Sequence, residues 1–437
     1  MTKDEFLYSR KKLGTLCQAP HSNLYIGHNG NITACCSNRT YVLGKYPDKS
    51  LLEIWNGEPA KKLRKELDNF SFKEGCFACS YFLNIEKFKS LKITHYDTEG
   101  TYRDLPYPHR LDLELDNKCN LECTMCNGVF SSSIRKNREK LFSYISPYNN
   151  DKFLEELTPF LLNAKKINFF GGEPFLITIY DKIFDVLLKN KSKAIIYIQT
   201  NGTIFNKKIE SICNKLNISI SISIDGGTKE IYEKIRKNSS FELISENCTK
   251  FNNILNKNKK NLLISSVVST ENIYDLLNLV IFANKHNSKL FFHHVKSPLE
   301  LSIESLSRLE LKKVIDFYEQ SITTFTKFLP KNENLNSLIE IMNLLKDSYK
   351  IKINLENLKN KFLEELKLKF PDKYIFLLEN LNKFNVSPEI FSIVFFKHEH
   401  IFNSVQAALE NFMNDDIEIF KEKVNTYLVE KFSKIKN

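Results

Sequence analysis

The chain has 437 residues, 42% of them hydrophobic and 26% charged, with a formal net charge of +11 and ten cysteines. This is the composition of a soluble globular protein with room for two or three domains. No apolar run is long enough to span a bilayer, and the opening MTKDEFLYSRKKLGTLC lacks the apolar stretch and cleavage site of a signal peptide.

A cytoplasmic, reducing location is therefore expected, where ten cysteines point to metal binding or catalysis rather than a disulfide framework. The positive charge is spread along the chain, as in KNKSK (189–193) and NKNKKN (256–261). No basic block lies beside stacking aromatics, so neither a nucleic-acid nor a membrane partner is expected.

Residues 1–104 carry Cys17, Cys35, Cys36, Cys76 and Cys79. LYIGHNGNITACC places Asn29-Gly30 between two strand-like runs, a hairpin signal. SLLEIWNGEP and AKKLRKEL read as short amphipathic helices, and GCFAC closes the region with C-x2-C. Pro106 and Pro108 mark a linker. Residues 105–300 then alternate strands and helices. The strands are RLDLELD (110–116), KKINFF (165–170), KAIIYIQT (193–200), ISISISID (218–225), NLLISSVV (261–268) and KLFFHHV (289–295). KEIYEKIRK (229–237) and NIYDLLNLVIFANKH (272–286) are among the helices between them. Such alternation predicts a parallel sheet.

Period two in ISISISID and RLDLELD sets isoleucines and leucines on one face and Ser, Asp and Glu on the other. The apolar face suits covering helices, and the polar face predicts a polar lumen. After Pro298, residues 301–437 read as amphipathic helices with breaks near Pro330, Pro371 and Pro388, predicting a helical domain. His398 and His400 in its KHEH are read as a surface pair.

The chemistry gathers at strand ends. KCNLECTMCNG, directly after the first strand of the alternating region, holds Cys119, Cys123 and Cys126 as C-x3-C-x2-C. A structural zinc takes four ligands and disulfides take pairs. Three thiolates on a four-iron cluster instead leave one iron open to a small molecule. Gly171-Gly172-Glu173-Pro174 follows the second strand, Thr200-Asn201-Gly202 ends the third, and Ser223, Asp225 and Gly226 end the fourth, with Arg236 in the next helix. The glycines let backbone approach a ligand. Glu173, Asn201, Ser223 and Asp225 offer hydrogen-bonding groups, and Arg236 can pair with a carboxylate.

Taken together over 105–300, these motifs resemble the radical S-adenosylmethionine (SAM) superfamily. The resemblance implies an α/β fold, a partial (βα)6 TIM-like barrel, with a [4Fe–4S] cluster on Cys119, Cys123 and Cys126. It implies SAM bound against Gly171, Gly172, Glu173, Pro174, Asn201, Ser223, Asp225 and Arg236. It implies, too, reductive cleavage of SAM to a 5′-deoxyadenosyl radical that abstracts hydrogen from a substrate. Met125 departs from the aromatic often found before the last cysteine.

The order Cys17, Gly30, Cys35, LLEIW, Cys76, Cys79 resembles the SPASM/twitch auxiliary-cluster module, here ahead of the barrel rather than after it. That resemblance implies a second [4Fe–4S] cluster on Cys17, Cys35, Cys76 and Cys79, with Cys36 a substitute for Cys35. Four thiolates would equally hold a structural zinc. Cys213 and Cys248 read as buried thiols. A peptide or protein is the first substrate class implied, a sugar or other small molecule, or RNA, the alternative. A low-potential flavodoxin or ferredoxin is the implied electron donor.

Overall fold

Six strands alternate with helices through the middle of the chain, and the resulting sheet extends beyond them. A computed structural model describes residues 2–86, 88, 91–97, 102–328, 332–383 and 416–432. Pro330, Pro388, His398 and His400 lie outside the described residues. Two compact units are present: residues 1–306 with 317–342, and residues 307–316 with 343–437.

The first unit opens with helix α1 (Lys3–Leu13), started by a capping box of Thr2 and Glu5 and ended at Gly14, φ 69°. After α2 (Ala19–Ser22) comes the expected hairpin of β1 (Asn23–Ile26) and β2 (Asn31–Thr33), antiparallel, with Gly30 at φ 86° in its turn. β3 (Gly44–Lys45) follows, then α3 (Leu51–Trp55), α4 (Glu58–Asp68) and α5 (Phe77–Asn84). Trp55 is 1% exposed, its indole N–H donates to the Leu105 carbonyl at 2.9 Å, and Arg64 lies over its ring.

The barrel strands are β4 (Arg110–Leu113), β5 (Lys166–Phe169), β6 (Ile195–Thr200), β7 (Ile218–Ser223), β8 (Leu263–Val268) and β9 (Lys289–His294). Between them run α6 (Ser132–Asn137) and α7 (Asp151–Asn163), then α8 (Thr178–Lys189), α9 (Lys207–Lys215), α10 (Lys229–Ile235), α11 (Phe241–Lys257) and α12 (Leu276–Lys285). All six strands pair in parallel and in sequence order, and the sheet stays open, a partial barrel.

The sheet is larger than the sequence predicts. β1 pairs in parallel with β4, so the order is β3-β2-β1-β4-β5-β6-β7-β8-β9, running through the 104/105 boundary. Register aligns Tyr25, Asp112, Asn168, Tyr197 and Ser219 in one row, and Ile26, Leu113, Phe169, Ile198 and Ile220 in the next. Every residue of the apolar row is fully buried. The polar row bonds to itself, with Asn168 Nδ2 donating to Asp112 Oδ1 at 2.5 Å. Residues 92–96 lie against it: Arg110 donates to the His95 carbonyl and stacks over Tyr96.

α12 starts four residues later than expected because its predicted first turn is otherwise engaged. Asn272 Nδ2 donates to the Asp225 and Val267 carbonyls, and Asp275 Oδ2 accepts from Gly227 N–H. Cys213 and Cys248 are buried in α9 and α11. Among its described residues the second unit is helical, and Leu377 and Leu381 of the helix Pro371–Lys383 and Phe420 of Ile417–Phe432 are fully buried. Among the described residues, no helix is long and apolar enough to cross a membrane.

Candidate functional site

The loop carrying Cys119, Cys123 and Cys126 leaves the C-terminal end of β4, and a serine run pins it. Ser131 caps α6 and donates to the Leu121 carbonyl at 2.7 Å. Ser132 accepts from Cys119 N–H, and Ser133 donates to the Cys119 carbonyl at 2.8 Å. The loop backbone also pairs with the end of α10, Thr124 N–H to the Ile235 carbonyl and Glu122 N–H to that of Lys237. Arg138 donates to the Cys123 and Cys126 carbonyls. Three side chains are thus aimed by a fixed backbone.

All three cysteines line one cavity of about 440 Å³, with Met125 and Phe130 of the same segment. Of the other residues predicted for SAM, Gly171, Gly172, Asn201 and Ser223 line it too, at the ends of successive strands, with Arg236 from the end of α10. Gly171 has φ 109°, and a Cβ there would sit 2.6 Å from the Asp116 carbonyl oxygen. Asn201 Nδ2 lies 3.9 Å from Cys119 Sγ and Arg236 Nη1 3.8 Å from Cys123 Sγ.

Glu173, Pro174 and Asp225 stand behind this wall rather than in it. Glu173 is 0% exposed, and its carboxylate accepts from Thr200 Oγ1 and Asn201 N–H, both at 2.7 Å, and from Phe175 N–H. Burial raises its pKa against those bonds. Asp225, also 0% exposed, accepts from Val267 N–H and pairs with Arg236 at 2.7 Å. Both carboxylates are bonded within the protein, Glu173 to Asn201 and Asp225 to Arg236, two residues of the cavity lining. Burial disfavours the Arg236 charge, but Asp225 and Cys123 outweigh it and hold the guanidinium above its usual range.

Burial and mutual repulsion push the Cys119 thiol up to about 12 and Cys126 up to about 11. Such thiols stay protonated until a metal displaces the proton.

Cys17, Cys35, Cys76 and Cys79 line a second pocket, walled by Ala19, Leu63, Leu67, Phe72 and Ile93. Ala19 N–H points at Cys17 Sγ at 3.4 Å and Asn38 Nδ2 at Cys76 Sγ at 3.3 Å, donors aimed at sulfur as thiolates require. The four sulfurs border a pocket. Among the described residues no three His, Cys, Asp or Glu side chains converge as ligands of one ion do. Cys36 is not among the residues lining that pocket; it lines the first cavity.

Sequence reasoning missed that whole side of the cavity. Tyr25, Cys36 and Arg39 arrive from the N-terminal region, beside Glu114. Arg39 donates to both Glu114 oxygens at 3.3 and 3.1 Å and to the Tyr25 hydroxyl at 2.5 Å, and His28 Nδ1 lies 3.2 Å from Glu114. The alternation of RLDLELD signalled Glu114 as inward-facing; nothing local signalled its partners.

Two family models match the chain, the radical SAM superfamily over residues 113–280 and the SPASM iron–sulfur cluster-binding domain over 17–80. The chain is 35% identical over 122 residues to an uncharacterised protein of Methanocaldococcus jannaschii, covering 26% of this chain and 38% of that one. It is 34% identical over 167 residues to a cysteine-type anaerobic sulfatase-maturating enzyme of Clostridium novyi, covering 35% and 41%. The matches thus span about two fifths of those relatives' length. Among solved structures, Streptococcus suis SuiB bound to its precursor peptide SuiA aligns at a TM-score of 0.37 and 14% identity, covering 60% of this chain and 62% of that one.

Proposed function

From the premise that the chain carries a radical SAM domain with a SPASM domain ahead of it, we propose a radical SAM enzyme that modifies a peptide or protein. The two domains imply a SAM-binding [4Fe–4S] cluster and auxiliary iron–sulfur. The observation that carries the proposal is the single cavity on which the three-cysteine loop and the ends of β5, β6 and β7 converge.

When bound, a reduced [4Fe–4S] cluster and SAM would supply reductive SAM cleavage and hydrogen abstraction from the substrate. The protein's part is placement and shielding. Cys119, Cys123 and Cys126 hold the cluster. Gly171 and Gly172 open backbone room beside it, and Asn201, Ser223 and Arg236 meet SAM. Glu173 accepts from the Thr200 hydroxyl and the Asn201 N–H, and Asp225 pairs with Arg236, which holds these groups in place beside SAM. Cys17, Cys35, Cys76 and Cys79 hold the auxiliary cluster. Tyr25, Cys36, Arg39 and Glu114 face the substrate.

A protein substrate is favoured by the relative named as a sulfatase-maturating enzyme. The test is anaerobic reconstitution, metal analysis, and reduction in the presence of SAM. About eight irons and no zinc, with 5′-deoxyadenosine formed, support the reading; no iron, or no 5′-deoxyadenosine, defeats it. Deuterium passing into 5′-deoxyadenosine from a labelled peptide encoded beside this chain would identify the substrate class. Transfer from a sugar or RNA and from no peptide would replace that class.

A further inference from the structure

Asn38 stands out among the groups that no motif claimed. It is 3% exposed, and every polar atom of its side chain is engaged. Oδ1 accepts from Tyr41 N–H at 3.3 Å, while Nδ2 donates to the Glu74 carbonyl at 3.2 Å and to Cys76 Sγ at 3.3 Å. These partners fix the amide's orientation. Flipped, its nitrogen would face an N–H and its oxygen would face a carbonyl and a thiolate.

The chain beside it is shaped to admit it. Gly75, immediately before Cys76, has φ 70°, and a Cβ there would strike Asn38 Oδ1 and come within 2.6 Å of Tyr41 Cβ. Residue 75 is thus held to glycine both by backbone conformation and by the amide packed against it.

We infer that Asn38 is a positioning residue that donates a hydrogen bond to the Cys76 sulfur of the auxiliary cluster and raises that cluster's reduction potential. The inference rests on the cluster reading of this pocket. A partial positive hydrogen held against sulfur stabilises the more negative, reduced state, and hydrogen bonds to sulfur are a recognised control of cluster potential. Ala19, Leu63, Leu67, Phe72 and Ile93 give the pocket an apolar wall, with Ser37, Lys92 and Tyr96 as its other polar lining.

The experiment is an EPR-monitored redox titration of the auxiliary cluster in the full chain, with Cys119, Cys123 and Cys126 replaced by Ala so that one cluster is read alone. Asn38→Ala should move the midpoint to more negative values. Asn38→Asp, which keeps the contact to Tyr41 but puts charge against the thiolate, should move it further. Wild-type potentials in both variants with iron retained would overturn the inference, because a merely structural amide changes iron retention and not potential. Should both variants lose the cluster, the unaltered residue is read instead by pulsed EPR of reduced protein carrying side-chain ¹⁵N-asparagine. A resolved nitrogen coupling supports the bond and its absence overturns it. Zinc in place of iron overturns the cluster reading itself, a failure distinguishable from the others.

Discussion

Cys35 and Cys36 are consecutive in the chain and border different sites, Cys35 the auxiliary pocket and Cys36 the cavity of Cys119, Cys123 and Cys126. One peptide bond therefore joins a lining residue of one site to a lining residue of the other. Replacing each with Ala should separate their roles. Cys35→Ala should lose about four of about eight irons after reconstitution, while Cys36→Ala should keep them all and alter substrate turnover. Equal iron loss in both variants would contradict the assignment.

Gly172 lies against the strand end that launches the cysteine loop. A Cβ there would meet the Lys118 carbonyl oxygen and, at 2.6 Å, the Asn117 carbonyl carbon. Both are backbone, with no flexible end to yield. Gly172→Ala should displace Cys119 and cost the SAM-binding cluster, leaving about four irons in the auxiliary site. Iron counts on the variant check this.

Glu173 accepts hydrogen bonds from the Thr200 hydroxyl and the Asn201 N–H. In Glu173→Gln, one carboxylate oxygen becomes an amide that faces a donor, an unpaired contact in a site with no solvent. SAM affinity should fall about tenfold or more, each tenfold being about 1.4 kcal/mol, with the auxiliary iron untouched. Equilibrium dialysis with labelled SAM measures it.

Glu114 gives a pH signature. Burial alone would raise its pKa, but His28, Arg39 and Tyr25 outweigh it and hold the carboxylate below its usual range. A depressed folded-state pKa contributes stability above the unfolded value of about 4.3, lost as pH falls through the folded value. Glu114→Gln should therefore cost roughly 1–2 kcal/mol at pH 7, toward the low end because Arg39 is 45% exposed. The difference should shrink as pH falls below about 4.3 and vanish once pH is below the folded value. Denaturant melts at both pH values test it.

The barrel was legible because its signals are local. Ile218, Ile220 and Ile222 alternate with serines, and each motif follows its own strand. The Cys119 loop could be placed for the same reason. The rest depended on long-range pairing. Tyr25 reaches the cavity only because β1 lies beside β4, some 85 residues later, and no local pattern announces that neighbour. Glu173 illustrates a second limit. A carboxylate after two glycines is visible in sequence, but which side of the wall it faces depends on where Thr200 and Asn201 come to rest.

The parallel pairing of β1 with β4 also bears on shortening the chain. With β1 in place, both flanks of β4 are occupied, and the sheet ends at the two-residue β3 on one side and at β9 on the other. A chain trimmed to begin near residue 105 would bare the outer N–H and C=O row of β4, a template for strand exchange between copies. The N-terminal region thus covers the β4 edge that the barrel alone would leave open. It leaves the ribosome before the strand it shields.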